Sequence, residues 1–112
     1  MAKSLNQVTI MGNLTRSPEL RQTPSGQSVA ALSLALNRSY KDSNEQWQEA
    51  TDYVDIVTWG KLAEQVSERL DKGSRVLVAG RLQSRSWEKD GVKHSKLEVL
   101  ATDITFLDKL ED

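Results

Sequence analysis

The chain contains no cysteine and only one histidine, His94, which removes several kinds of chemistry. Without cysteine it can form neither disulfides nor thiolate metal sites, and a single histidine cannot build a multi-histidine metal centre. The sequence also offers no plausible catalytic triad and no phosphate-binding loop. We therefore predict a protein that is not an enzyme and that needs no cofactor or metal, with His94 as a solvated side chain.

Long apolar runs are also missing. No segment approaches the length of a membrane span, and residues 1–7 lack a hydrophobic signal core. We therefore expect no membrane contact and a protein that stays in the compartment where it is made. At 112 residues, 38% hydrophobic and 28% charged, the chain has the composition of one folded domain with a modest core.

Charge is nearly balanced in total but uneven along the chain. The net charge is −1, yet residues 1–40 and 73–96 are basic, whereas residues 41–72 and 97–112 are acidic. A basic surface for nucleic acid can therefore exist on a nearly neutral protein. Ordinary interleaving of charges would give the same distribution.

Residues 73–87 predict one long strand with two different faces. Side chains alternate along a strand, so small and apolar residues such as Val76 and Val78 share one face, with Gly80 and Leu82 further along. The opposite face combines guanidinium groups with an indole, a pairing that suits a phosphate beside an unstacked base: Arg75, Arg81, Arg85 and Trp87. A solvated face with an incidental tryptophan explains the pattern equally well.

Alternating apolar residues predict four further long strands, over residues 5–14, 27–38, 50–59 and roughly 92–107, with a short edge strand at Glu19–Gln22. Residues 61–70 are the only helical segment, because Leu62, Val66 and Leu70 recur every four positions. We interpret this helix as a plug for the sheet, with Gly73 as its C-cap. Turns are predicted at residues 23–26 and at Asp90-Gly91.

Three strands depart from simple alternation. Gly12 interrupts the first, which indicates a bend or a close approach. Arg38 and Tyr40 continue the parity of the core leucines, so a bulge or strong bend near residue 37 is needed to expose them. In the last strand a parity change near residues 102–103 brings the final apolar residues inward after the earlier ones: Leu97, Val99 and Ala101, then Ile104 and Phe106.

Three aromatic residues precede the helix in polar surroundings. Trp47 lies at the tip of a polar hairpin loop, residues 41–49, and we interpret it as exposed for contact. Tyr53 and Trp59 share one face of the third strand, about 20 Å apart. They are either stacking platforms or parts of a strand that is buried on both sides.

The order strand, strand, strand, helix, strand, strand matches the OB-fold. We predict an all-β protein with one short helix: a five-stranded, partly open Greek-key barrel with the helix between strands 3 and 4. One OB domain occupies residues 1–112, with its core at about 4–107 and a short polar end at 108–112.

Four motifs in this order resemble the bacterial single-stranded-DNA-binding protein family: VTIMGNL at 8–14, PELR at 18–21, WGKLAE at 59–64 and GRL at 80–82. The resemblance covers about residues 4–107. It implies a cytoplasmic, nucleoid-associated bacterial homotetramer of OB domains. Such a protein binds and protects single-stranded DNA without sequence preference in replication, recombination and repair.

The resemblance places the stacking aromatics at Tyr40, Tyr53, Trp59 and Trp87, to which the hairpin loop adds Trp47. The residues that carry positive charge near them are the candidate phosphate contacts, with Arg85 and Arg38 the strongest: Arg38, Lys61, Arg75, Arg81 and Arg85. Asp55 places an acid where the family would lead us to expect a base. The carboxylates Asp52 and Asp55 are interpreted as solvated.

The residues near the two ends of the sequence give two predictions about binding partners. Residues 6–14 have few charges and no proline, so they can pair with a copy of the same strand to form a dimer. Residues 106–112 have no spacer or acidic tip, so recruitment of replication and repair proteins is expected to be poor. Two alternatives remain: an RNA-binding OB module of the cold-shock type, and an OB domain whose aromatics are buried in subunit contacts.

Overall fold

The computed structural model describes residues 2–107, which form seven elements of secondary structure. These are β1 (Val8–Leu14), β2 (Glu19–Gln22), β3 (Ser28–Lys41), β4 (Trp47–Trp59), α1 (Gly60–Arg69), β5 (Arg75–Lys89) and β6 (Val92–Leu107). The prediction of a mostly β chain is confirmed. So are the short edge strand β2 and the single helix between the third and fourth long strands.

The sheet closes into a barrel. Its strand order is β1-β5-β6-β4-β3-β2, and an additional β1–β3 pairing joins the two sides of the sheet at Asn13↔Ala35 and Leu14↔Leu34. The β4–β6 pairing is parallel and short, with Ile56 opposite Val99, and the other pairings are antiparallel. Five long strands with one helix in this order are the OB-fold.

The barrel interior holds one apolar core. Its members come from the inward positions of the long strands and from one stripe of α1, where Ala63, Val66 and Leu70 are buried. The helix therefore plugs the barrel as predicted. Its C-cap is Leu70 rather than Gly73, because α1 ends at Arg69. Gly73 has a φ of 90° in the following turn, where its N–H donates to the carbonyl of Leu14.

The β5–β6 hairpin extends beyond the barrel. The register shifts at Ala79/Gly80, where β6 has an extra residue, Thr102, so the predicted parity change near residues 102–103 is confirmed. Leu82 and Leu97 were predicted to point inward, yet they are 42% and 66% exposed. They lie on the inner face of the sheet, but the pairing of β1 with β5 begins only at Val8↔Gly80 and leaves them without a facing layer.

The β3–β4 hairpin is also long, and it is regular. Its register runs without a shift from Val29↔Trp59 to Lys41↔Trp47, so the bulge expected near residue 37 does not occur. Arg38 and Tyr40 reach solvent because the hairpin passes the end of the barrel while keeping its parity. Trp47 is the first residue of β4 and not part of the loop, which is shorter than predicted.

Candidate nucleic-acid interface

A groove of about 660 Å³ crosses the outer face of the barrel, between β2, β4 and the β5–β6 sheet. The outer face carries the odd-numbered residues of β4 and β5, opposite buried Ile56, Val76 and Val78. The side chains that can contact a ligand are an indole, a carboxamide and several charged groups: Trp59, Gln83, Arg16, Glu19, Arg21, Asp55, Arg85, Lys96 and Glu98.

Three predicted stacking residues share this outer face. Trp59, Tyr53 and Trp87 are 43%, 69% and 38% exposed, so each offers ring surface to solvent. Trp59 also borders a second depression, where it lies with Lys61 at the beginning of α1. The structure therefore brings four predicted residues to the region of the groove: Trp59 and Arg85 line it, Tyr53 lies next to Asp55 on β4, and Trp87 follows Arg85 on β5.

Each groove carboxylate is paired with a cation. Lys96 Nζ lies 2.7 Å from Asp55 Oδ2, and Arg85 Nε lies 3.5 Å from Glu98 Oε2. Near the rim, Arg21 contacts Glu19 at 3.3 Å. With four cations and three carboxylates among its lining residues, the groove has a formal charge of +1. A phosphate must therefore compete with carboxylates for three of these four cations, Arg21, Arg85 and Lys96.

Glu98 is the least expected of these groups, because its side chain is only 4% exposed. Burying a carboxylate is unfavourable unless it is paired and hydrogen-bonded. Arg85 supplies the charge, and Gln83 Nε2 donates to Glu98 Oε1 at 3.3 Å. These contacts hold Arg85 in the groove before any ligand binds.

Arg85 also contacts the indole that follows it on the same face. Its Cζ lies 4.9 Å from the ring centroid of Trp87, within the range of a cation–π interaction. On the neighbouring strand His94 stacks against Trp87, with ring centroids 5.4 Å apart. His94 is exposed, as predicted, and in addition it makes this stacking contact.

Other predicted site residues lie elsewhere. Arg38 and Tyr40 are on the face of the β3–β4 hairpin opposite Tyr53, because their partners in register are Ala50 and Gln48. Arg38 is bound there by Asp52, with Nε 2.9 Å from Oδ2. Asp52 and Asp55 are 56% and 49% exposed, in agreement with their interpretation as solvated, and each is also ion-paired.

The remaining candidates lie at the ends of long strands. Trp47 keeps the outer parity at the start of β4, with the Lys41 Nζ 5.5 Å from its ring centroid. Arg81 is exposed on β5 outside the groove lining. Arg75 begins β5, where its Nη2 contacts the sulfur of Met11, about 33 Å of strand from Arg85.

Sequence reasoning missed several groove residues. Arg16 and Arg21 approach the groove only because the closed barrel carries β2 towards β5 and β6, a proximity that no local pattern contains. Glu98 and Gln83 were missed because alternation assigns them to a solvated face. The only signal in the sequence for this part of the groove was the excess of basic residues over residues 73–96, which include Lys96.

The tip of the β3–β4 hairpin is held by one carboxylate. Asp42 accepts hydrogen bonds from the backbone N–H groups of Gln46 and Asn44 and from the side chain of Gln48. The Gln46 contact is the largest cause that lowers the pKa of Asp42 below its usual value of 3.8. Because the pKa of Asp42 is lower in the folded state, the stability that these hydrogen bonds contribute is fully present above pH 3.8. It is lost as pH falls through the lower pKa of the folded state.

We therefore expect Asp42→Ala to speed amide exchange at Asn44 and Gln46 at neutral pH, because both N–H groups lose their acceptor. Hydrogen exchange measured by NMR checks this, with Glu45→Ala as the neighbouring control that removes a carboxylate making none of these bonds. Equal protection of both amides in Asp42→Ala and wild type would contradict the assignment.

A closed OB barrel with a groove of cations and exposed aromatic rings on its outer face defines a class, the oligonucleotide-binding OB domains. The comparisons with known proteins place the chain within that class. Residues 5–107 match the single-strand binding protein family. The chain therefore belongs to the single-strand binding protein family.

Individual relatives agree with this membership. The chain is 50% identical to single-stranded DNA-binding protein 2 of Chlorobaculum tepidum, over 94% of this chain and 72% of that protein. It is 43% identical to the single-stranded DNA-binding protein of Deinococcus radiodurans, over 96% of this chain but only 36% of that protein. The shared region is thus the OB barrel, while the relatives continue beyond it by different lengths.

Solved structures have the same fold. A Plasmodium falciparum SSB in complex with single-stranded DNA superposes with a TM-score of 0.88 at 29% identity, over 96% of this chain and 99% of that one. The wild-type single-stranded DNA-binding protein of Thermus aquaticus gives 0.82 at 39% identity, over 96% of this chain and 52% of that one.

Proposed function

We propose that this protein binds single-stranded DNA without sequence preference, through the groove and the aromatic residues around it. The observation that carries the proposal is the exposure of Tyr53, Trp59 and Trp87 on the face that also presents Arg85 and Lys96. Unstacked bases can lie against such rings while cations hold the backbone. Family membership and the relative solved with single-stranded DNA support the same conclusion.

Two physical terms supply the affinity. Stacking of a base on an aromatic side chain contributes ~1–3 kcal/mol and tolerates any base. Phosphate neutralisation adds a term that weakens as salt rises. Because the groove is only weakly positive, stacking supplies the larger share here. The residues proposed to contact DNA in and near the groove are Tyr53, Trp59, Trp87, Lys61 and Arg85. Trp47 and Arg81 are proposed as contacts that flank them. A DNA strand reaches the remaining candidates, Arg38, Tyr40 and Arg75, only if it wraps further round the barrel.

The proposal is tested by competition among three ligands of equal length: oligo(dT), oligo(U) and a DNA duplex. We expect the order oligo(dT), then oligo(U), then duplex, because the rings need unstacked bases and duplex bases are already stacked. Tighter binding of oligo(U) would favour the RNA-binding alternative. Equal binding of the duplex would reject a role for stacking.

Arg85 is expected to be the main phosphate contact in the groove. Replacing it with alanine should flatten the dependence of log affinity on log salt by about 0.7, the value for one phosphate on a single strand. Oligo(dT) titrations at several salt concentrations measure this slope. Lys93→Ala is the matched control, since Lys93 lies on the face of the β5–β6 hairpin opposite Arg85, and an unchanged slope in Arg85→Ala would remove Arg85 from the site.

We further propose that the protein is a homotetramer whose dimer contact runs through β1. Residues 8–13 of β1 pair with β5 on one side, while β3 reaches only Asn13 and Leu14 on the other. An unpaired strand edge is a template for a second copy, and such a contact would be two-fold symmetric. The alternative in which the aromatics serve only subunit contacts is disfavoured by their position away from this edge.

We expect light scattering to give four times the protomer mass at micromolar concentration. Thr9→Pro should lower that mass, because proline removes a ladder donor from β1. Thr102→Pro is a control on a strand that does not offer this edge, and both variants are compared by circular dichroism. A monomeric wild type would contradict the proposal.

The cellular role is proposed on the same basis: protection of single strands in replication, recombination and repair within the bacterial cytoplasm, in one domain with its core at residues 4–107. No helix among residues 2–107 has the length and apolarity needed to cross a membrane. The prediction of poor partner recruitment concerns residues 106–112, of which 108–112 lie outside the described residues. It is tested by pull-down from extract with and without an acidic tail fused after Asp112.

A further inference from the structure

Trp87 is part of a pair of stacked rings near the end of the β5–β6 hairpin. Its partner in register across the strands is His94, with ring centroids 5.4 Å apart and planes inclined by only 17°. We propose that His94 is a further DNA-contacting residue, whose protonated imidazole binds a backbone phosphate beside the base that stacks on Trp87. This rests on the proposed function of the surface around Trp87.

The geometry favours such a role. Trp87 and His94 both lie on the outer face of exposed strands, and the stack fixes the imidazole beside the indole before DNA arrives. Ordering a side chain in advance lowers the entropy that binding must remove. The DNA backbone on either side of a base stacked on Trp87 must pass over the neighbouring side chains. These are Arg85 on β5 and His94 on β6.

The charges around the pair are positive. On the same face, the neighbours are Arg85 and Lys89 on β5 and Lys96 on β6, while Asp55 on β4 is bound to Lys96 and Glu98 is bound to Arg85. Glu88 and Lys93 lie opposite each other on the other face of the hairpin. A phosphate brought among these cations would offset their repulsion of a further positive charge, so proton and phosphate binding reinforce each other.

The sign of the pH effect follows. An imidazole gains its proton between about pH 8 and pH 5, and the charged form donates from both ring nitrogens. Affinity for single strands should therefore increase as pH falls through this range and decrease as pH rises. The chain has one histidine and no cysteine, so replacing His94 removes the only imidazole from the protein.

The test compares wild type with His94→Phe, which keeps an aromatic ring against Trp87 but cannot take up a proton. Binding of a short oligo(dT) is measured at pH 8, 7, 6 and 5.5 at constant ionic strength. For the wild type we expect about a two- to fivefold gain in affinity from pH 8 to pH 5.5, the range of an exposed ion pair. His94→Phe should match the wild type at pH 8 and show little of this gain.

The salt dependence gives a second readout. Uptake of one proton at a phosphate contact should steepen the slope of log affinity against log salt by about 0.7 at pH 5.5 relative to pH 8. The slope for His94→Phe should not change with pH. Lys93→Gln is the control, because it removes a charge next to His94 in sequence but on the other face.

The outcomes separate this inference from the proposed function. Tight binding with the same pH dependence in wild type and His94→Phe would overturn the role of His94 and leave the DNA-binding surface intact. Failure of both proteins to bind oligo(dT) at any pH, while folded by circular dichroism, would overturn the proposed function itself. A pH dependence that is lost in Lys93→Gln as well would assign the effect to general charge rather than to His94.

Discussion

Replacing Gly80 with alanine should destabilise the fold by about 3 kcal/mol or more, at the upper end of the cost of overpacking. A Cβ at this position would lie 2.1 Å from the carbonyl oxygen of Leu100 and 2.9 Å from its carbon. Both are backbone atoms of β6, so no side-chain rotation relieves the contact. The β5–β6 pair would have to separate where its register shifts, next to the point at which β1 joins β5.

Urea unfolding at a fixed protomer concentration measures this effect. Ser84→Ala is the matched control, because Ser84 is exposed on the same face of the same strand, and surface changes usually stay within about 0.5 kcal/mol. Gly12→Ala should also be strongly destabilising, since a Cβ there would lie 2.3 Å from the carbonyl oxygen of Ala35. If the free energy of unfolding of Gly80→Ala were within about 1 kcal/mol of the wild type, the prediction would be wrong. The β5 and β6 strands could then move apart at Gly80 at little cost.

Removing Trp59 and Trp87 together should weaken oligo(dT) binding by roughly 2–6 kcal/mol. This is the sum of ~1–3 kcal/mol for each lost stacking contact, and effects at separated sites add. The two rings are exposed and lie on different strands, so the double alanine variant should still fold. Its unfolding curve is measured alongside the binding curve.

The matched control replaces both tryptophans with phenylalanine. Phenylalanine keeps a stacking surface, so this variant should recover most of the affinity, whereas a loss due to general disruption would persist. Binding by the folded double alanine variant within threefold of wild type would show that these rings do not hold bases. The alternative in which the aromatics serve another purpose would then be favoured.

The sequence was most informative where the pattern is local. Alternation located every long strand, and Asp90 and Gly91 form the predicted two-residue turn because both take positive φ. The parity change near Thr102 was readable because apolar residues changed phase there. These features depend on neighbouring residues alone.

What could not be read was the environment of each strand face. Alternation gave Leu82 and Leu97 the correct face, but not the absence of a layer opposite it, because that depends on where β1 begins. The same limit placed Arg38 with the binding residues, although the regular β3–β4 register turns it towards Asp52.

The sequence therefore predicted which residues form the candidate site better than it predicted the contacts between them. Trp59, Trp87 and Arg85 were identified from residue type and parity, and the structure places them on one side of the barrel. The ion pairs that lower the net charge of the groove involve β4, β5 and β6 together, so they exist only once the barrel has closed. Arg16 and Arg21 enter the groove for the same reason.

The most direct test of the central claim is a titration of intrinsic tryptophan fluorescence with oligo(dT). If bases stack on Trp59 and Trp87, emission should fall strongly and saturate as DNA is added, and high salt should shift the midpoint to higher DNA concentration with a similar final quench. Unchanged emission at saturating DNA, with binding established independently by anisotropy of a labelled strand, would contradict stacking in the groove.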